Sequence, residues 1–301
     1  MNICGTEVTV KGRFPRIARL TADKHEFPDD PAALLEELKK SGTRIDLFTF
    51  MQRPPETSAK YSYPADPDNL AVLSISTYDE WWNKQLDSKT RNMVRKSEKK
   101  GLELREVPFD EALVQGISQI YNECPTRQGK PFAHYGKDIE TVRREAGTFL
   151  DRAVFIGAFL EGNLIGFIKL ICDPQQRHSS LMHIISMVQH RDKAPTNALI
   201  AQAVRSCADR KIPHLIYANF SYGKKQSDSL SDFKKSNGFK QMDLLRYYVP
   251  LSTLGALALH LGLHRKFVHY LPEPVLARVR KLRSDWYARK LPSPVGSPKS
   301  A

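Results

Sequence analysis

Residues 153–172, AVFIGAFLEGNLIGFIKLIC, decide the fold. Apolar residues fill both halves of this stretch and Glu161-Gly162-Asn163 divides them. Gly and Asn tolerate a positive φ, so the pattern predicts two strands joined by a tight hairpin. The next run, SLMHIISMVQH at 180–190, is apolar at both parities, as in a central strand buried on two faces. A helix is then predicted from about Pro195 to Asp209, followed by strand HLIYANF (214–220), a short helix at SLSDFKKSN (229–237) and strand LLRYYVPL (244–251). Ahead of the hairpin, LELREV (102–107) alternates as a strand, while DEALVQGISQIYNEC (110–124) and IETVRREAGTFLDR (139–152) carry apolar residues at helical spacing. From Leu102 the order is β-α-α-β-β-β-α-β-α-β, which predicts an α/β (α+β) fold, a mixed central sheet flanked by helices.

The first third reads as a smaller N-terminal α/β extension or truncated lobe over 1–100. It has strands within EVTVKGRFPRIARL (7–20), RIDLFTFMQ (44–52) and NLAVLSIST (69–77), and a helix at PAALLEELKK (31–40). The Pro-rich, polar QRPPETSAKYSYPADPDN (52–69) reads as a loop. The segment 101–250 forms the main domain. A basic helical tail occupies 251–301: LSTLGALALHLGLHRKF spaces Leu254, Leu257 and Leu261 on one helical face ahead of VLARVRKLRSDWYARK, and LPSPVGSPKSA is expected to be a disordered end. Such a segment either lies on an anionic membrane surface or packs its leucines on the core.

The 301 residues carry a net charge of +13, which points to anionic partners: nucleic acid, phospholipid headgroups or cofactor phosphates. About half of the excess sits after Pro250, where nine Lys/Arg face two acids. Cys4, Cys124, Cys172 and Cys207 are widely separated, without Cys-x-x-Cys spacing, so neither a zinc site nor a disulfide framework is expected and no metal is assigned. No apolar run reaches the length of a membrane span and no secretory signal is legible. A cytoplasmic or membrane-peripheral location is the expectation.

The element order, together with LIGFIKL (164–170), NALIAQAV (197–204) and DFKKSNGF (232–239), resembles the GNAT superfamily of acetyl-CoA-dependent N-acyltransferases over about residues 102–250. The resemblance implies an acyltransferase that moves an acyl group from acetyl-CoA or another acyl-CoA to an amine on a small molecule, peptide or sugar. In that family a turn patterned Arg/Gln-x-x-Gly-x-Gly/Ala cradles the coenzyme pyrophosphate with backbone amides at a helix N-terminus. Arg191-Asp192-Lys193-Ala194-Pro195-Thr196-Asn197 occupies that place here, leaving the amides of Thr196 and Asn197 free to meet a phosphate, with the Thr196 hydroxyl, Arg191 and Lys193 adding donors; Val188 and Gln189 just ahead of the turn are also expected to bind the cofactor. Ala194 and Thr196 stand where the family has small glycines, Pro195 suits a first helical position, and Asp192 adds a charge of the wrong sign.

Family members shape the acceptor pocket with the loop between the first two helices. Here it is PTRQGKPFAHYGK (125–137), which offers Arg127, Lys130, Phe132, His134, Tyr135 and Lys137. They often use a Tyr as the acid in the helix before the Gly-Phe turn, a place taken here by Phe233; the nearest alternatives are Tyr217 at a strand end and Tyr222, of which Tyr222 is the candidate acid because a loop could orient it into the cleft. The strand that often carries a Glu base has His183 instead.

YDEWWNKQLDSKTRNMVRKSEKKGLELRE (78–106) is similar to the segment entering the catalytic lobe of Fem-type aminoacyltransferases, which use aminoacyl-tRNA. Arg91, Arg95 and Lys99 would share one helical face able to meet tRNA phosphates. The inserted helical arm of those enzymes is missing and the first lobe is shorter, so a Fem-like (FemAB-type) GNAT-fold group is the better fit. Three alternatives stay beside acyl-CoA transfer: an aminoacyl-tRNA-dependent aminoacyltransferase, a catalytically silent GNAT-fold binding module, and a basic membrane-surface protein.

Overall fold

In the computed structural model, the described residues are 1–127, 130–221 and 229–265, with isolated positions 275, 278, 279, 281, 282 and 286 beyond them. Most of the basic tail and its end therefore lie outside the described residues. The elements run β1 (Asn2–Ile3), β2 (Thr6–Lys11), β3 (Ile17–Leu20), α1 (Pro31–Lys40), β4 (Leu47–Met51), β5 (Ala65–Ser74) and α2 (Tyr78–Glu80), which continues as a π turn over Trp81–Gln85. They continue with α3 (Ser88–Lys99), β6 (Leu102–Val107), α4 (Glu111–Asn122), β7 (Thr126–Arg127), β8 (Lys130–Pro131), α5 (Ile139–Ala146), β9 (Ala153–Leu160), β10 (Asn163–Cys172) and β11 (Ser179–Ser186). After a 3-10 turn over Val188–Lys193 come α6 (Pro195–Asp209), β12 (His214–Ile216), α7 (Ser229–Ser236), β13 (Lys240–Pro250) and α8 (Thr253–His260).

Contacts gather these elements into two compact units, one drawn from 1–72, 216–234 and 239–265, the other from 73–215 and 235–238. Compactness divides the chain differently from cuts at residues 100 and 250, because β13 pairs antiparallel with both β4 and β5.

In the first unit the sheet order is β1-β2-β3-β4-β13-β5, with β3 and β4 parallel. Its core joins Leu34, Leu35 and Leu38 of α1 to Phe48, Phe50 and Tyr247 of the sheet. Leucines at i, i+1 and i+4 give α1 its buried stripe, and Asp30 caps it by accepting from the Ala32 and Ala33 amides. Asp46, almost fully buried, is a second organising residue: its carboxylate accepts from the Arg16 amide (2.8 Å) and the Ser252 hydroxyl (3.1 Å). Ser252 in turn caps α8 at the Gly255 amide (2.9 Å).

The second unit orders its strands β12-β11-β10-β9-β6. The predicted hairpin is present, and its turn is Glu161-Gly162, with φ of 50° and 79°; Asn163 already belongs to β10. Alternation along β10 separates two faces. Phe167 joins Leu113, Val114, Ile117, Ile120 and Tyr121 of α4 in one core, whereas Gly166 lies under Leu199 of α6. The i, i+1, i+4, i+7, i+8 spacing of those α4 residues explains both the helix and its buried face.

Four expected boundaries move. β11 stops at Ser186 and the chain turns 3-10, so 188–190 are not strand. The strand expected over 214–220 ends at Ile216. Helix α5 ends at Ala146, followed by Gly147. Residues 65–69, read as loop, begin β5, because pairing with β13 extends a polar, Pro-containing run that has no local reason to be straight.

Gly255 is required by close approach. A Cβ there would lie 1.8 Å from the Asp46 carbonyl oxygen, so Gly255→Ala forces α8 off the backbone it rests on. Thermal or urea unfolding of Gly255→Ala should show a loss of about 2 kcal/mol or more, the range for overpacking against an unyielding neighbour. An unchanged midpoint would mean that α8 is free to shift.

Candidate functional site

The site-forming residues of the second unit gather where the C-terminal end of α4, the loop before α5 and the end of β11 meet. Arg127 is the clamp. Its guanidinium donates to the Ser186 carbonyl (2.6 Å) at the end of β11 and to the Ile120 carbonyl (3.0 Å) in the last turn of α4, and it stacks 4.2 Å over the Phe132 ring. Burial lowers its pKa somewhat, against the raising effect of Glu123, but it stays charged. Arg127 is thus engaged by protein acceptors.

Glu123, four residues earlier, pairs with Arg127 (3.5 Å) and accepts from the Val188 amide (2.7 Å) and the Gln189 amide (2.8 Å). Two backbone N–H groups expected to face a cofactor therefore already hold a carboxylate. The rest of the turn is partly engaged too. Ala194 adopts the left-handed conformation (φ 52°, ψ 43°) that the family pattern reserves for glycine, and its amide donates to the Arg191 carbonyl (3.0 Å). The Asn197 amide donates to the Ala194 carbonyl (3.1 Å), the Thr196 hydroxyl meets that of Ser186 (2.9 Å), and Pro195 takes the first helical position. Asp192 is neutralised by Lys100 (2.7 Å), with Lys193 at 3.5 Å, and this pairing holds the Asp192 carboxyl below its ordinary range. Arg191 is exposed.

Beside the clamp lies an aromatic cluster. The His134 ring stacks on Tyr121 at 4.4 Å, Phe132 meets Tyr121 edge-on at 6.0 Å, and His183 of β11 stands perpendicular to His134 at 5.9 Å. His183 therefore faces the loop expected to shape the acceptor pocket, and the two imidazoles are brought together from positions 49 apart in sequence. The Lys137 ammonium donates to His134 Nδ1 (3.2 Å) and pairs with Glu145. With Nδ1 accepting, the proton of neutral His134 resides on Nε2. Burial, reinforced by the Lys137 charge, holds its pKa below the ordinary 6.5, with Glu145 pulling the other way. Burial also pushes the Tyr121 phenol well above its usual range.

Lys169 of β10 sits opposite His183 in the strand register and is fully buried. Its ammonium donates to the Ala146 carbonyl (2.7 Å), the Thr148 hydroxyl (2.8 Å) and the Thr148 carbonyl, closing the C-terminal end of α5. Burial pulls its pKa down to about 8. Lys130 is exposed on the short β8, and Tyr135 is 47% exposed. Tyr222 lies outside the described residues. Glu123, Tyr121 and Glu145 carry no recognisable motif; the Glu123-to-Arg127 spacing of four is a faint signal, obscured because α4 ends at Asn122.

Of the cationic face expected on α3, Arg95 and Lys99 are exposed, whereas Arg91 is half-buried and committed to backbone carbonyls. Arg91 donates to the Asn83 carbonyl (3.2 Å) and the Leu86 carbonyl (3.1 Å), while Arg95 lies 5.7 Å from the Trp82 ring. Arg95, Lys96, Lys99 and Lys100 are exposed, and the Lys100–Asp192 pair links this end of α3 to the turn before α6.

These sheets, helices and turns define a mixed α/β fold. Among solved structures, the chain is similar to the C-terminal domain (DUF2156) assigned to a lysylphosphatidylglycerol synthetase of Agrobacterium fabrum. The TM-score is 0.56 at 13% identity, over 84% of this chain and 83% of that one. It is also similar to L-PGS from Bacillus licheniformis (TM-score 0.55, 14% identity, 84% and 83% covered) and to FemX (TM-score 0.50, 13% identity, 75% and 70% covered). At such identities the likeness establishes the fold. No family model matches the sequence, and no curated protein does.

Two predictions follow from the geometry. Glu123→Ala removes a charge-assisted acceptor from two amides and should cost about 2 kcal/mol, seen as a fall of a few degrees in Tm. Millimolar pyrophosphate should restore part of that loss by accepting from the same N–H groups; a fall with no recovery would make the carboxylate a structural cap alone. The second concerns protonation. The unfolded imidazole of residue 134 binds its proton near pH 6.5 and the folded one only at lower pH, so stability falls as pH drops through that window. Lys137→Met removes a charge that lowers the pKa, so NMR titration should show His134 shifted upward; an unchanged His134 titration would remove Lys137 as its partner.

Proposed function

We propose that the protein is an aminoacyltransferase of the Fem-like GNAT type, taking its activated acyl group from aminoacyl-tRNA. The observation that carries this reading is the distribution of charge before α6: α3 presents exposed Arg95, Lys96 and Lys99 next to the turn, while Glu123 occupies the Val188 and Gln189 amides just ahead of it. A row of exposed cations suits an extended polyanion better than one pyrophosphate does. The names of the similar lysylphosphatidylglycerol synthetases suggest a phospholipid headgroup as one acceptor class, beside an amine on a small molecule, peptide or sugar.

In this reading the acceptor N–H or O–H attacks the ester carbonyl of the aminoacyl-tRNA. The C–O bond to the terminal ribose breaks, and the proton leaving the nucleophile passes to the departing ribose oxygen. His183 is the candidate to relay that proton, and the Nε2–H of neutral His134 is the candidate donor to the developing oxyanion. Arg127 and Lys169 act as positioning residues, holding the loop and the end of α5 on either side. Alignment of ester and nucleophile supplies much of the acceleration in any such site.

One feature favours acyl-CoA as donor instead: the left-handed turn at Ala194 ahead of Pro195 stands where the family binds pyrophosphate. A single assay separates the two. The full chain is incubated with a labelled aminoacyl-tRNA pool or with labelled acetyl-CoA, each with phospholipid vesicles and with primary amines. The expected result is label transferred from aminoacyl-tRNA, together with tRNA binding that weakens with a log–log salt slope of roughly −2 to −3 for three to four phosphate contacts. Arg95→Glu with Lys99→Glu should weaken tRNA binding about tenfold or more. Transfer from acetyl-CoA alone would overturn the proposal in favour of N-acyl transfer, and no transfer from either donor would leave a binding module.

A further inference from the structure

Helix α8 is built inside out. Its small residues Gly255 and Ala258 face the interior of the first unit, with Gly255 resting on the Asp46 backbone, while Leu254, Leu257 and Leu261 face solvent at 43%, 51% and 57% exposure. Leu263, just past the helix, is 48% exposed. The spacing of 254, 257 and 261 places those leucines on one face, so they form a stripe, and the choice between a core-packed and an exposed leucine face falls on the exposed side.

The charge of this part of the chain selects among occupants. Residues 251–301 hold nine Lys/Arg and two acids. Arg265, just beyond the leucines, has a 46% exposed side chain while also pairing with Asp66 (2.6 Å). Farther on, Val275, Val279, Leu282 and Trp286 repeat at intervals of four, three and four, and each is exposed at a helical position; Arg278 and Lys281, also exposed, stand between them. An apolar stripe with an aromatic residue and basic neighbours is the pattern of an interfacial helix. A second copy of the chain would bring another strongly positive segment against the first, which disfavours self-association through this face. Among the described residues no helix is long and apolar enough to cross a membrane, so the apolar face would lie along a surface.

We propose that α8 is a membrane-surface anchor that seats Leu254, Leu257, Leu261 and Leu263 at the headgroup boundary of an anionic phospholipid layer, with the basic residues that follow supplying the attraction. The inference is independent of the transfer reaction: it needs neither donor nor acceptor, and so stands or falls separately.

The test is cosedimentation of the full chain, without tRNA or coenzyme, with vesicles of phosphatidylcholine containing phosphatidylglycerol and with vesicles of phosphatidylcholine alone. Binding should be about tenfold or more stronger to the anionic vesicles and weaken with salt. Leu257→Asp with Leu261→Asp should reduce it about tenfold or more while leaving the thermal midpoint near that of the parent, since both side chains are exposed. Anionic-vesicle binding that survives the double substitution would assign the attraction to the basic tail alone and overturn the anchor. Absence of vesicle binding would overturn it too, and a concentration-dependent dimer abolished by the same substitutions would reassign the face to a second copy.

Discussion

The guanidinium of Arg127 is the interaction on which the candidate site depends. It binds the last turn of α4 through the Ile120 carbonyl, the end of β11 through the Ser186 carbonyl and the loop between them through the Phe132 ring. Two neighbouring segments and a strand end 59 residues away are fixed to one planar group, whose five donors suit several carbonyls at once. Glu123 completes the arrangement by neutralising the guanidinium and capping the 3-10 turn that leads into α6. Loss of the clamp would free the loop that presents His134 from the end of β11.

The same local economy explains the poised state of the two histidines. Stacking on Tyr121 removes His134 from water, and Lys137 reaches its Nδ1, so the ring is held neutral with one nitrogen already committed. Lys169, buried opposite His183 in the register, spends its ammonium on the open end of α5. A buried cation satisfied by carbonyls and a hydroxyl, with no buried carboxylate required, fixes that helix end beside the site.

The two units divide the chemistry differently. The unit containing α4, β11 and α6 carries the clustered imidazoles, the cationic α3 and the turn at Ala194. The unit containing α1, β13 and α8 offers a leucine stripe resting on a glycine and an alanine. An excess of thirteen positive charges is consistent with either a nucleic-acid or a phospholipid partner, and the placement of the cations gives each a different address.

The sequence alone determined the elements whose patterns are local. The α4 stripe, the hairpin at Glu161-Gly162, the Pro195 start of α6 and the basic face of α3 all follow from periodicity, turn chemistry and charge within about a dozen residues. The mixed α/β fold was legible for the same reason, since its order of elements is a list of local patterns. Three features were settled only by long-range contact. Residues 65–69 became strand through pairing with β13, the amides of Val188 and Gln189 were closed by Glu123 from 65 and 66 residues away, and Arg127 turned from a candidate acceptor ligand into a clamp. The orientation of α8 belongs with them: its leucine spacing marks a face, but only the close approach of Gly255 to Asp46 decides that this face looks outward. Spacing tells which side chains share a side of a helix, and packing decides which side is buried.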